Sequence, residues 1–201
     1  MRSMNHAPLP PAPGTEAHLS LALVNSMIHL PGGKIVDHLD SPEATTAWLI
    51  ERDLVDGKEQ LLSYCQSKLC GLRSDLQNIF LMQATNQNID QQVVDRINKA
   101  LTVAPHISLL HYSADAGFYR AAEHPVTLLV EHAMSVIAED AVTLLASEEA
   151  ELLIQCEAEP CQRFMLRTHG RRQWCSTRCG DRVRAARAYA RKRENALNSS
   201  A

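Results

Sequence analysis

Four cysteines within 24 residues constrain this chain more than any other feature. Cys156 and Cys161 bracket four residues, thirteen residues follow, and Cys175 and Cys179 bracket three more. The first fourteen residues (MRSMNHAPLPPAPG) hold no apolar core of a signal peptide, so the expectation is reduced thiols rather than a disulfide framework. Two cysteine pairs at this spacing suit a closed tetrahedron of thiolates around one structural Zn²⁺, with no position left for water or substrate. Nothing in the sequence marks a redox cluster that would favour iron. Pro160 favours a tight turn inside the first pair, and the second pair sits where a helix should begin, so helix N–H groups would favour thiolates there. His169 could replace one sulfur, but the four cysteines already complete the set. Residues 156–201 hold few large apolar side chains (Phe164, Met165, Leu166, Trp174, Val183, Tyr189) and can hardly sustain a core alone. Zinc binding worth about 10–16 kcal/mol in small fingers would supply the deficit. Cys65 and Cys70, five apart in a helical stretch, point ~140° from each other and read as ordinary thiols of the core or its boundary.

Charge divides the chain at the same place. Residues 1–155 carry nine Lys and Arg against nineteen Asp and Glu, a net of −10; residues 156–201 carry eleven against four, a net of +7. Ten of those eleven cations are Arg, whose planar fork suits phosphate and base edges. Four thiolates around Zn²⁺ lower the module to about +5, which is still a nucleic-acid-binding footprint. On a helix over 179–193, Val183, Ala186 and Ala190 form a thin apolar stripe with Tyr189 beside it. Arg184, Arg187 and Arg191 run parallel to that stripe, joined by Lys192 and Arg193. A helix docked through the first stripe would hold the second toward solvent. Arg167, Arg171 and Arg172 precede Trp174, and Arg178 and Arg182 flank Cys179. All eight arginines numbered from 167 to 191 are candidate nucleic-acid contacts.

The acidic part reads as a mostly helical α+β domain with a small sheet. A Pro-rich start, disordered through residue 15, leads into a domain over 16–150. The run LSLALVNSM (19–27) is too short to type, and Pro31-Gly32-Gly33 marks a turn. Ser41-Pro42 opens a helix through about Glu51. Leu61, Cys65, Leu69, Leu72, Leu76 and Ile79 predict a long helix over 58–84. Asp90 caps another, with Val93, Val94, Ile97 and Leu101 buried. His106–Tyr112 and Phe118–Ala121 flank a turn and read as a hairpin. Residues 126–146 are apolar around most of a helix and belong mid-domain.

No nucleophile elbow, Walker sequence or dinucleotide fingerprint occurs, and the scattered histidines lack metal-ligand spacing. Glu123-His124 and Glu131-His132, eight apart, read as structural rather than as a metal site. No run approaches the ~18 apolar residues of a membrane span. A non-enzymatic, cytoplasmic protein is expected.

The segment CEAEPCQRFMLRTHGRRQWCSTRCGDRVRAARAYARKR resembles the CGNR zinc finger. Its two Cys pairs, the Phe after the first pair, Trp174-Cys175-Ser176, Cys179-Gly180-x-Arg182 and the basic helix through Tyr189-Ala190-Arg191 carry the likeness. It departs at Asp181, where the family has Asn: Asp keeps an oxygen able to cap the helix start but loses the amide donor. The preceding part is similar to an ABATE domain through LALVNS (21–26), the long central helices, and the hairpin followed by an apolar helix. The resemblance implies a bacterial, stress-linked transcription regulator with a treble-clef-like zinc module at 151–201. The leading reading is a DNA-binding regulator. The alternatives are an RNA- or ribosome-associated module and a protein-interaction adaptor. A single finger makes few base contacts, so specificity would need a homodimer or a partner. The acidic domain would then sense a small-molecule or protein effector, dimerise, or cover the basic module.

Overall fold

The computed structural model describes residues 9–56, 61–104, 108–122 and 128–198. Six α-helices, two short 3-10 helices and three two-stranded antiparallel sheets occur there, so the mostly helical α+β reading holds. The untyped 19–27 run resolves into a short helix, α1 (Leu19–Val24), and a strand, β1 (Met27–His29). The Pro31-Gly32-Gly33 turn connects β1 to β2 (Ile35–Asp37), closed by the Leu30 N–H donating to the Lys34 carbonyl at 2.8 Å. Helix α2 (Pro42–Ile50) starts as expected, with Ser41 Oγ accepting from the Ala44 N–H at 3.1 Å.

The long central helix is α3 (Ser63–Ala84), and α4 (Gln91–Val103) begins at the Asp90 cap. Leu69, Leu72, Leu76, Ile79 and Phe80 of α3 meet Val93 and Ile97 of α4 in one core. The apolar helix is α5 (Leu129–Leu145), whose Val130, Ala133, Ile137, Ala138, Ala141 and Leu144 are buried in the same core. Between α4 and α5 stands the hairpin of β3 (Ser108–Ser113) and β4 (Gly117–Ala122). His106 and the Glu123-His124 pair lie outside the described residues.

Helix α1 is only six residues long and has no capping side chain at its own N-cap. Asp140 of α5 supplies the cap from 120 residues away: it accepts from the Ser20 backbone N–H at 2.8 Å and from the Ser20 hydroxyl, and meets His18 Nδ1 at 3.2 Å. A second polar anchor joins β2 to α3. Arg73, buried, donates to both Asp37 oxygens at 2.6 and 2.8 Å and to Ser26 Oγ at 3.0 Å. Burial works against the Asp37 charge, but the guanidinium and the Leu39 N–H hold its carboxyl below the usual value.

The chain ends in β5 (Leu153–Gln155), β6 (Phe164–Leu166) and α6 (Thr177–Asn198). The β5–β6 hairpin was not legible in the sequence, and it joins the two parts of the chain. Successive strand residues face opposite ways. Leu153, Phe164 and Leu166 enter the helical core, while Ile154 and Met165 pack with the cysteines. Phe164 meets Phe80 of α3 edge to face, with centroids 5.9 Å apart. Asn25 clamps the same residue like a third strand: its Nδ2 donates to the Phe164 carbonyl and its Oδ1 accepts from the Phe164 N–H, both at 2.8 Å.

The Pro-rich start corrects an expectation. Residues 9–14 are docked rather than disordered: the Pro13 carbonyl accepts from the Leu166 N–H at 3.0 Å, and Ala12 is buried among the cysteines. Six residues of low helical and strand propensity hold there because β6 gives them a hydrogen-bonding edge and an apolar floor. Residues 1–8 lie outside the described set. Gly14 makes the turn out of this segment at φ +89°, and a Cβ there would stand 2.9 Å from Leu166 Cγ and from Leu21 Cδ1. Gly14→Ala should therefore cost about 1–3 kcal/mol in strain and overpacking. A urea melt reads this directly, and an unchanged midpoint would show that the segment does not dock.

Candidate metal centre

Cys156 follows β5, Cys161 closes a turn in which its N–H donates to the Ala158 carbonyl at 2.8 Å, and Cys175 and Cys179 lie at the start of α6. All four are buried, and their sulfurs lie within 4.8 Å of one another. Cys175 Sγ stands 3.7 Å from Cys161 Sγ and 3.6 Å from Cys179 Sγ. Zinc–sulfur bonds of about 2.3 Å in a tetrahedron set such edges near 3.8 Å. Four soft donors at that spacing fit one structural Zn²⁺ and leave no coordination position open.

The thiol acidities split within the cluster, with Cys156 and Cys161 raised and Cys175 and Cys179 lowered. Hydrogen bonds from Cys156 and Cys161 hold the Cys175 thiol down, to about 6, with Arg163 assisting. The same two neighbours and Cys175 hold Cys179 well below the thiol range. Proton sharing with Cys156, Cys175 and Cys179, together with burial, pushes Cys161 up. Protons thus crowd onto part of the cluster, and a divalent cation would replace them.

Arg163 was not among the sequence-derived candidates, yet it completes the centre. It is 3% exposed. Its Nη2 donates to Cys175 Sγ at 3.0 Å, and its Nη1 donates to the Pro10 carbonyl at 2.8 Å. Burial opposes its charge, but the facing Cys175 thiolate holds the guanidinium above its usual value. A buried cation beside a four-thiolate centre offsets its net negative charge. An Arg two residues after a ligand could have suggested this role, but nothing in the sequence distinguished it from its ten basic neighbours.

The motif around the second pair has a physical reading at each letter. The Trp174 ring lies so close to the helix that a Cβ on Gly180 would come within 2.9 Å of its Cε3. Ser176 Oγ accepts from the Cys179 N–H at 3.3 Å and starts the helix. Helix α6 therefore begins at Thr177, two residues earlier than expected, and runs on to Asn198. Arg182 ties the helix to the first pair, donating to the Ala158 and Glu159 carbonyls at 2.8 and 2.9 Å and to Cys179 Sγ at 3.5 Å. Asp181 does not cap the helix, because it already lies inside it; it accepts from Arg184 Nη2 at 2.6 Å.

The basic candidates separate into two groups. Arg182 and Arg172 face inward, Arg172 donating to the Trp174 and Cys175 carbonyls at 3.2 and 3.4 Å. Arg167 is half-buried, and Arg184 pairs with Asp181 and lies over the Trp174 ring. Arg178 is exposed at the helix start. Arg171, Arg187, Arg191, Lys192 and Arg193 are exposed, and their side chains have no ion pair or hydrogen bond among the described residues. Two expectations change here. Of the Val183–Ala186–Ala190 stripe only Val183 docks, against the cysteine cluster, while Ala186, Ala190 and the neighbouring Tyr189 are exposed, because the zinc centre holds α6 only through its first two turns. The acidic domain likewise does not cover the basic helix, for every residue from Arg184 to Asn198 is exposed.

In the acidic domain, a cavity of about 460 Å³ opens between α3, α4 and α5. Its floor is Leu72, Ala100 and Met134, and the Lys68–Glu131 and Asp75–Arg96 ion pairs stand on its walls. His132 is buried on α5, and no metal-ligand cluster besides the four cysteines occurs among the described residues. No described helix is long and apolar enough to cross a membrane.

Comparison with known proteins agrees with this division. Residues 17–148 match the ABATE family model, described as "Putative stress-induced transcription regulator", and residues 153–192 match the CGNR zinc finger. No curated protein matches the chain. The zinc-finger match begins at β5, the strand whose hairpin enters both the helical core and the zinc centre. The chain belongs to the ABATE family and carries a CGNR zinc finger at its C-terminal end.

Proposed function

We propose that the chain is a non-enzymatic, cytoplasmic regulator of transcription that binds DNA through α6. The observation that carries this reading is a helix rooted in a zinc centre whose outer turns present Arg187, Arg191, Lys192 and Arg193 unpaired to solvent. Unpaired arginines on one rigid face neutralise phosphates without first breaking an internal ion pair. Arg171 and Arg178 would extend the contact, whereas Arg172 and Arg182 hold the module together. The cavity between α3, α4 and α5 is the place in the acidic domain where a small-molecule effector would enter.

The test uses the full zinc-loaded chain with random duplex DNA across a salt series. Neutralising four phosphates gives a log–log slope of about −3.6. Replacing both Arg187 and Arg191 by Ala should flatten it by about 1.8, since each phosphate contact contributes about 0.9. Tighter binding to a structured RNA would transfer the reading to an RNA-associated module. Absence of binding to either at low salt would leave α6 as a docking face for an acidic protein.

A further inference from the structure

The β3–β4 hairpin is the part of the acidic domain that the core does not explain. Among residues 109–120 none is buried. Yet it carries five large apolar side chains, with Leu110 71%, Tyr112 67%, Phe118 74%, Leu109 43% and Tyr119 44% exposed. The register separates them by face. Tyr112 stands opposite Phe118, with ring centroids 5.1 Å apart, and Leu110 stands opposite Arg120 on the same side. His111 and Tyr119 stack on the other side, at 5.4 Å. The three most exposed apolar side chains therefore share one face. A two-stranded hairpin is marginal in water by itself and needs a surface against one face. This hairpin finds none among the described residues.

We infer that the Leu110–Tyr112–Phe118 face of the hairpin is a homodimer interface, covered by the same face of a second copy of this chain. Charge selects that occupant. Residues 108–122 contain one Asp and one Arg, a neutral patch on a part of the chain that carries −10. Two copies can meet here without the repulsion that the rest of the domain imposes, whereas a polyanion would find a single Arg. At roughly 200 Å² per large side chain, the three exposures on this face leave on the order of 400 Å² of apolar surface, about half of the ~800 Å² per partner in a standard interface, as suits a weak dimer. A two-fold axis through such a patch is self-complementary. The inference is independent of what α6 binds.

Sedimentation of the full, zinc-loaded chain between 1 and 100 μM tests it. The expected mass is twice the 22.3 kDa of one chain. Leu110→Thr combined with Phe118→Ser should raise the dimer dissociation constant at least 100-fold while zinc content and helical signal stay unchanged. Tyr64→Ser, at an equally exposed aromatic on α3, should change nothing. Hydrogen exchange of the unmutated chain gives a reading free of folding artefacts: amides of 108–122 should gain protection between 1 and 100 μM. A monomer throughout that range, a dimer that survives the double substitution, or concentration-dependent protection confined elsewhere would each overturn the inference.

Discussion

Removing zinc should lower the unfolding midpoint of the entire chain rather than melt the last fifty residues alone. The centre's own packing is thin, consisting of the four cysteines with Ala12, Ala158 and Met165, flanked by Ile154, Trp174 and Val183. Without the ion, buried thiolates beside Arg163 lose their counter-charge, and nothing else of comparable strength holds the two cysteine pairs together. The loss does not stop at the module boundary, because Leu153, Phe164 and Leu166 of its hairpin are part of the helical core. Structural zinc is worth about 10–16 kcal/mol in finger peptides. If only about 5 kcal/mol reaches the shared core, a domain of this size loses roughly 10–20 °C in its midpoint. Cys175→Ser should reproduce the effect, with metal content falling from one zinc per chain to none. Calorimetry decides the matter. Two separate transitions, with the upper one unmoved by chelation, would show that the helical domain stands without the zinc module.

Phe164→Ala should be nearly as damaging while leaving the metal in place. Phe164 is 2% exposed, points away from the cysteines and fills the space against Phe80. Truncating a buried Phe costs about 3–5 kcal/mol, which corresponds to roughly 6–20 °C for a chain of this length. The Asn25 clamp holds only backbone atoms of this residue, so the strand keeps its register. One zinc per chain should therefore remain while the midpoint falls. Loss of zinc together with stability would instead mean that Phe164 organises the ligands themselves. The two variants separate what the metal supports from what the hairpin supports.

The parts that were legible in the sequence share one property. The Cys156–Cys179 spacing, the apolar period of α3 and α4, the Asp90 and Ser41 caps and the 108–122 hairpin are all short-range. Metal-ligand spacing, helical period and turn chemistry act over a few residues, so a linear reading contains their physics. What was missed depends on distant partners. The docking of residues 9–14 needs β6, the cap on α1 comes from Asp140, and the place of Phe164 in the helical core depends on Asn25 and Phe80. The three-residue strands β5 and β6 carry too little pattern to announce themselves and exist because a core on one side and a metal on the other both require them.

The same division runs through the arginines. Their number and clustering are read from the sequence and mark a basic module by themselves. Which of them are free is not read there. Arg163 lies against a thiolate and Arg182 against the first cysteine turn, because folding brings carbonyls and sulfurs within reach of their guanidinium groups. Arg187 and Arg191 remain in solvent, because the zinc centre grips only the start of α6. Chemistry carried by neighbours in sequence could be read directly from the chain. Chemistry carried by neighbours in space was decided by the fold, since burial and hydrogen-bond partners exist only once distant segments have met.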